Sequence, residues 1–130
     1  MTGPVVKAIR DAEATTAQNG GLILNIALNY GGRAELLSAV KAIASLPADK
    51  LSDLKEQDIS DYLYTAGLPD PDLIIRTAGE KRLSNFLLYQ CAYSEFYFTD
   101  VFWPDFTKER YVDALRDFQS RKRRFGGLDK

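Results

Sequence analysis

Short apolar runs alternate with helix-like stretches along this chain, and this alternation limits the fold more strongly than any other feature of the sequence. Residues 22–28 follow a glycine turn and are too few for a helix, so they predict a buried strand. Residues 72–76, which follow Pro71, predict a second strand, and the aromatic residues 96–98 predict a third. Strands that are separated by helices are typical of a parallel sheet flanked by helices, so we expect an α/β fold.

Helical signals occupy the segments between and around these strands. The first helix ends at a pair of glycines, the second carries apolar residues at helical spacing, and the last is capped by Thr107. The predicted helices cover residues 5–17, 33–46, 58–67, 83–92 (short and buried) and the segment after 107, and residues 48–57 are predicted to form a loop.

The predicted sheet is narrow, and the edges and faces of parallel sheets need protection. The length of 130 residues is that of one domain, which we place at residues 1–130. Because the alternation begins with a helix, the pattern matches the second half of a doubly wound domain. We therefore expect either a fragment or a chain whose sheet edge is covered by a partner.

Charge and residue types exclude several classes of function. The chain has 17 Lys and Arg against 18 Asp and Glu, a net charge of −1, so it has no overall attraction to nucleic acid or anionic membranes. It has no histidine for catalysis or metal binding, and its single cysteine excludes a disulfide framework. No apolar run approaches the roughly 20 residues of a membrane span, and the first residues carry no signal-peptide pattern. We expect a cytoplasmic protein that associates with membranes at most peripherally.

The densest group of polar residues lies directly after the second predicted strand. It contains Arg76, Arg82 and Ser84, and Gly79 allows close backbone approach. Ligands of open α/β sheets bind beyond the carboxyl ends of the strands, and arginine binds phosphate oxygens through two parallel hydrogen bonds. The group therefore suits a phosphate or diphosphate. The alternative is a solvated basic turn, in which the arginines pair with Glu80 and nearby acids.

Three further positions are candidates for binding. The glycines in the turn at residues 29–33 could free backbone amides for an anion, although the sequence alone favours a plain tight turn. The carboxylate of Glu95 could hold Mg²⁺ beside a bound diphosphate, or it could form a salt bridge. Residues 124–127 form either a basic tail that reaches an anion or a glycine cap after the last helix.

Together these motifs resemble the cis-prenyltransferases, and most closely the bacterial undecaprenyl diphosphate synthases. The resemblance covers nearly the whole chain but only the C-terminal half of the family's sequence. It implies the C-terminal half of an undecaprenyl-diphosphate-synthase-like parallel sheet flanked by helices. The matching segments are residues 24–33, 71–77, 79–80, 82–88, 90, 92–95, 97–100, 103–106 and 123–127.

The resemblance implies a reaction and a set of substrate contacts. The family condenses isopentenyl diphosphate onto an allylic diphosphate with Mg²⁺ and forms a cis double bond, which supplies the precursor of a cell-wall lipid carrier. By resemblance, Arg76, Arg82 and Ser84 bind the diphosphate of isopentenyl diphosphate. Glu95 is implied to help hold Mg²⁺.

The resemblance also implies a homodimer. Arg124 and Gly126 match a C-terminal motif that reaches across the family's dimer interface to the same diphosphate. Lys81 stands where bacterial members often carry a histidine, so the resemblance assigns no acid-base or metal role at that position.

One segment of the family pattern, an Asp-Gly-Asn-Gly-Arg-Trp-like stretch that binds the allylic diphosphate and its metal, has no match in this sequence. We therefore leave the catalytic residues unassigned and expect negligible turnover from the chain alone. Two alternatives stay open. One is a non-catalytic accessory subunit of a full-length cis-prenyltransferase. The other is a generic anion-binding α/β module, which would bind pyrophosphate no better than sulfate.

Overall fold

A computed structural model describes residues 3–122 of the chain. The described helices are α1 (Gly3–Thr16), α2 (Gly32–Ala44), α3 (Ala48–Ser52) and α4 (Lys108–Ser120). The described strands are β1 (Leu73–Arg76) and β2 (Glu95–Phe98), and 3₁₀ helices span Glu56–Tyr62 and Trp103–Asp105.

β1 and β2 form a parallel sheet, which confirms the predicted α/β class. Leu73 lies opposite Glu95 and Arg76 lies opposite Phe98, so the carboxyl ends of both strands share one edge. β1 contains two β-branched isoleucines and β2 is rich in aromatic residues, and both residue types favour extended backbone. α4 packs against β2 and buries Ala114 completely. The sheet therefore supports a polar loop that begins at the end of β1.

The predicted strand over residues 22–28 is wrong, because this segment has no regular secondary structure and pairs with no strand among residues 3–122. Its apolar side chains are exposed: 93% of Leu22 and 78% of Leu24 are accessible to solvent. A strand needs a neighbour to bond its backbone N–H and C=O groups, and its apolar side chains need a second layer to cover them. The described sheet consequently has two strands instead of three.

The predicted buried helix over residues 83–92 is also wrong, because the backbone there passes through successive turns. Ser84, Asn85 and Leu87 have φ angles of 49°, 65° and 44°. A right-handed helix needs negative φ angles, so these three residues exclude it. The connection from β1 to β2 is therefore an irregular crossover, and no helix begins at Ser84.

Asn85 explains why this crossover departs from a helix. Its backbone oxygen accepts a hydrogen bond from the N–H of Gly32 at 2.7 Å, and its Oδ1 accepts one from the N–H of Arg33 at 2.9 Å. These bonds cap the N-terminus of α2, where Gly31 has no side chain that could do so. A Cβ on Gly32 would lie 2.9 Å from Cγ of Leu88, so the close approach requires glycine at this position.

The remaining helices agree with the sequence predictions in part. α1, α2 and α4 lie where the sequence places them, but the predicted loop over residues 48–57 contains α3. The helix predicted up to residue 67 is a 3₁₀ helix that ends at Tyr62. Thr107 precedes α4 as predicted, although its side chain forms no capping hydrogen bond. Within residues 3–122, no helix has the length and apolar character that crossing a membrane requires.

Candidate functional site

The loop that follows β1 folds back on the end of the strand. Ala78 and Gly79 both have positive φ angles, 66° and 68°, which reverse the direction of the chain. The N–H of Ala78 bonds to the carbonyl of Val101 at 2.9 Å, and the N–H of Gly79 bonds to the carbonyl of Thr99 at 2.9 Å. These two bonds fasten the loop to the segment after β2, so that the next residue, Glu80, faces β1 again.

Glu80 joins the two arginines that the sequence predicts to bind an anion. Its Oε2 accepts a hydrogen bond from Nη2 of Arg76 and forms an ion pair with Nη2 of Arg82. Nε of Arg82 also donates to Oγ of Ser84 at 3.2 Å. The hydrogen bond from Arg76, followed by the nearby charge of Arg82, holds the pKa of Glu80 below its ordinary value.

This geometry bears on both interpretations of the basic loop. Arg76, Arg82 and Ser84 lie together, which a shared anion site requires. Both arginines also pair with Glu80, which the alternative of a solvated basic turn predicts. The choice between the two interpretations therefore depends on what else lies at the loop.

A cavity of about 270 Å³ lies beside the two arginines and favours a binding site over a solvated turn. Two guanidinium groups and six apolar side chains share its wall, so one ligand would meet both cationic and apolar surface. Such a lining fits an anion that carries a short apolar tail. The lining residues are Ile74, Ile75, Arg76, Arg82, Leu83, Phe86, Phe96 and Phe98.

The second anion candidate, the glycine turn at residues 29–33, is occupied by protein contacts. The N–H groups of Gly32 and Arg33 both donate to Asn85, so they are not available to a ligand. The interpretation as a tight turn accounts for this segment.

Glu95, the predicted Mg²⁺ ligand, lies at the amino-terminal end of the parallel strands, whereas Arg76 lies at their carboxyl-terminal end. It begins β2 whereas Arg76 ends β1, so about 10 Å separates their levels in the sheet at the usual rise per residue. Its Oε2 accepts a hydrogen bond from Nη1 of Arg121 at 2.9 Å, which is the salt bridge that the sequence left as an alternative. Residues 3–122 contain no group of three or more Asp, Glu, His or Cys side chains that could hold a metal. The role of Glu95 in holding Mg²⁺ stays a prediction.

The remaining positions that the sequence singles out are Lys81, Arg124 and Gly126. Lys81 is exposed and forms no ion pair with any residue in the range 3–122. Arg124 and Gly126 lie outside the described residues, so their predicted contact with a diphosphate stays a prediction.

A buried polar network lies at the N-terminal end of α2, and the sequence interpretation missed it. Glu35, which is 1% exposed, accepts hydrogen bonds from the hydroxyl of Tyr30, the N–H of Tyr64 at 2.8 Å and Nε2 of Gln90 at 3.1 Å. Nε2 of Gln90 also donates to Oγ1 of Thr65 at 3.0 Å. The network ties α2 to the crossover and to the segment after the first 3₁₀ helix. The sequence signal was Gln90 itself, which interrupts an apolar run, because a buried polar side chain needs a partner.

Tyr30 makes this network sensitive to pH. Burial first, and then the hydrogen bond to Glu35, raise the pKa of Tyr30 from 10.0 to about 12. In the unfolded chain the Tyr30 hydroxyl loses its proton near pH 10, whereas in the folded chain it keeps the proton up to about pH 12. The stability that Tyr30 contributes is therefore complete below pH 10 and is lost as the pH rises toward 12. We expect the free energy of unfolding in urea to fall more steeply between pH 10 and 12 for the wild type than for Tyr30→Phe. Equal slopes in the two proteins would contradict the assignment.

The parallel sheet and the basic loop at its carboxyl edge define an α/β protein of the type that places ligand sites beyond its strand ends. Comparison with known proteins identifies the family. A family model described as "Putative undecaprenyl diphosphate synthase" matches residues 1–126. The chain therefore belongs to the undecaprenyl diphosphate synthase family of cis-prenyltransferases, which confirms the resemblance found in the sequence.

Curated relatives carry the description isoprenyl transferase. The protein from Clostridium acetobutylicum is 54% identical over 129 residues, which cover 95% of this chain and 50% of the relative. The protein from Bacillus subtilis is 54% identical over 126 residues, which cover 95% of this chain and 48% of the relative. The chain thus spans about half the length of the curated relatives that it matches.

Two solved structures share the fold. The structure of lavandulyl diphosphate synthase from Lavandula x intermedia in complex with dimethylallyl diphosphate aligns with this chain at a TM-score of 0.91 and 37% sequence identity. The alignment covers 97% of this chain and 56% of the synthase chain. A probable undecaprenyl diphosphate synthase from Campylobacter jejuni has a TM-score of 0.81 and 35% identity, over 97% and 58% of the two chains.

Proposed function

We propose that this chain carries the isopentenyl diphosphate site of a cis-prenyltransferase, which condenses isopentenyl diphosphate onto an allylic diphosphate to make a cis-polyprenyl diphosphate. Arg76 and Arg82 bind the diphosphate, and the hydroxyl of Ser84, bonded to Arg82, orients that guanidinium and adds a donor. The proposal includes negligible turnover by the 130-residue chain alone.

The observation that carries this proposal is the shared lining of one cavity. Arg76 and Arg82 lie on a wall that is otherwise apolar, so the surface matches an anion attached to a short hydrocarbon better than it matches a free anion. Isopentenyl diphosphate is a ligand of that kind, because a five-carbon alkenyl group is joined to a diphosphate. A solvated basic turn without a site would need no such cavity.

Low turnover follows from the chemistry of the second substrate. Ionisation of an allylic diphosphate requires a metal and hydrogen-bond donors on the leaving group. The sequence has no match to the Asp-Gly-Asn-Gly-Arg-Trp-like stretch that binds this substrate and its metal in the family, so we assign that half of the reaction to none of the described residues. The part of the reaction that we assign to them is binding and orientation of isopentenyl diphosphate.

Calorimetric titration with isopentenyl diphosphate and, separately, sulfate tests the binding part of the proposal. We expect measurable binding of isopentenyl diphosphate, with sulfate at least ten times weaker. Equal affinities would support a generic anion-binding module instead. A condensation assay with farnesyl diphosphate, labelled isopentenyl diphosphate and Mg²⁺ tests the other part, and robust polyprenyl product from the pure chain would contradict it.

Two further parts of the proposal rest on the family resemblance: the use of Mg²⁺, with Glu95 as a contributor, and a homodimer in which Arg124 and Gly126 approach the partner's diphosphate. Two others, a single domain over residues 1–130 and a cytoplasmic location, rest on the length and the residue pattern of the chain. Analytical ultracentrifugation of the pure chain tests the homodimer directly.

A second candidate function, a non-catalytic accessory subunit, is favoured by the exposed apolar run at residues 22–28. Apolar side chains in an unpaired segment need cover, which a second polypeptide could provide. This candidate is tested by co-purification with a full-length isoprenyl transferase. The wild type is compared with the Ile23→Lys and Ile26→Lys variants. A stable complex that the two lysine variants abolish would favour it, and no complex would count against it.

A further inference from the structure

We propose that Glu80 is a built-in competitor for the anion site, which holds Arg76 and Arg82 until a diphosphate displaces its carboxylate. This inference rests on the proposed function because it concerns the same two guanidinium groups. Glu80 is a positioning residue in this proposal and takes no part in chemistry.

The geometry places one carboxylate where an anion would lie. A single oxygen of Glu80 serves both arginines, and no other acid among residues 3–122 forms an ion pair with either of them. All three side chains remain open to solvent, with relative exposures of 29% for Arg76, 34% for Glu80 and 63% for Arg82. A dissolved anion can therefore reach the pairs that it has to replace.

The loop fixes the backbone of this competitor while leaving its side chain free to move. Hydrogen bonds from the N–H groups of Ala78 and Gly79 anchor the two residues before Glu80 to the segment after β2. Displacement of the carboxylate therefore needs rotation of the Glu80 side chain and no rearrangement of the loop. The arginines would keep their backbone positions throughout the exchange.

The exchange favours a diphosphate but weakens its binding. A diphosphate carries more charge and more acceptor oxygens than one carboxylate, so it wins the competition for the two guanidinium groups. Each partly exposed ion pair that it breaks nevertheless opposes binding by a modest amount. Removal of the Glu80 charge should therefore tighten pyrophosphate binding by about 3- to 30-fold.

The matched variants are Glu80→Gln and Asp100→Asn. Both remove one negative charge beside the same loop, since Oδ1 of Asp100 lies 3.0 Å from the place that a Cβ on Gly79 would take. Asp100 forms no ion pair with either arginine in the described part of the chain. It therefore controls for the overall change in charge.

The experiment is calorimetric titration of the full 130-residue chain and the two variants with inorganic pyrophosphate, after circular dichroism confirms that each is folded. We expect Glu80→Gln to bind 3- to 30-fold more tightly and Asp100→Asn to change less than 2-fold. The inference is overturned when the wild type binds and Glu80→Gln binds equally or more weakly, or when Asp100→Asn tightens binding as much. In those cases the proposed function stands.

A different result would remove the proposed function as well. If neither the wild type nor Glu80→Gln binds pyrophosphate at millimolar concentration, the two arginines form no diphosphate site, and both proposals fail. If Glu80→Gln binds pyrophosphate and the wild type does not, the result shows directly that the Glu80 carboxylate competes for the site. Glu80→Ala serves as a second variant and should show the same tightening, because it also removes the carboxylate.

Discussion

Replacing Arg82 with alanine is expected to lower the affinity of the chain for isopentenyl diphosphate about 10- to 150-fold. The basis is the loss of one charge-assisted hydrogen bond to phosphate, which is worth about 1.5–3 kcal/mol. Arg82 contributes to the cavity wall, bonds to Ser84 and pairs with Glu80, so its guanidinium already points to the region where the other cation lies. Calorimetric titration measures the effect.

Lys81→Ala is the matched control for this prediction. Lys81 is adjacent in sequence, carries the same charge and is exposed, but it does not line the cavity. We expect less than a 3-fold change in affinity from its removal, as screened surface charges contribute little. Unchanged binding by Arg82→Ala would remove Arg82 from the site, and equal losses in the two variants would indicate a nonspecific basic surface.

Replacing Glu35 with alanine is expected to destabilise the fold by about 3–5 kcal/mol. The substitution removes the acceptor of three hydrogen bonds, from the partly buried Tyr30 hydroxyl, the partly buried N–H of Tyr64 and the buried Nε2 of Gln90, which keeps only its bond to Thr65. A buried polar group left without a partner costs about 1–3 kcal/mol. The Glu35→Ala substitution also leaves a small cavity at the N-terminal end of α2. The free energy of unfolding in urea, compared with that of the wild type, measures this loss.

Two further variants make the Glu35 prediction specific. Glu13→Ala removes an exposed acid from α1 and should change the stability by less than about 0.5 kcal/mol. Glu35→Gln retains one acceptor oxygen of the same reach, so we expect it to lose less stability than Glu35→Ala. A loss below about 1 kcal/mol for Glu35→Ala would show that water or a rearranged partner satisfies the three donors.

Local signals account for the elements that were predicted correctly. Pro71 and the isoleucines that follow favour β1, and helical spacing of apolar residues marks α2 and α4 before any tertiary contact is considered. The sequence also placed Arg76, Arg82 and Ser84 within nine consecutive residues after one strand. Because such a segment can extend to roughly 30 Å, the proximity of the three side chains depends on the chain reversal at Ala78 and Gly79.

The failures have a common cause, which is a partner distant in sequence. Asn85 serves the N-terminus of α2 from 52 residues away, and this contact turns the predicted helix over 83–92 into a series of turns. Glu95 pairs with Arg121 from α4's C-terminal end, a contact that no local pattern specifies. The run at 22–28 has strand composition, but its pairing depends on a neighbouring strand that residues 3–122 do not supply.

The order of residues along the chain was enough to predict the α/β class, the family, the positions of the main helices and the loop that carries the two arginines. These features depend on local backbone preference and on the order of residue types along the chain. The folded chain was needed to show which backbone groups are hydrogen-bonded, which carboxylate pairs with the arginines and which apolar run is exposed among residues 3–122. Hydrogen bonds and ion pairs act over a few ångströms, so their partners are known only once the folded chain has brought distant residues together.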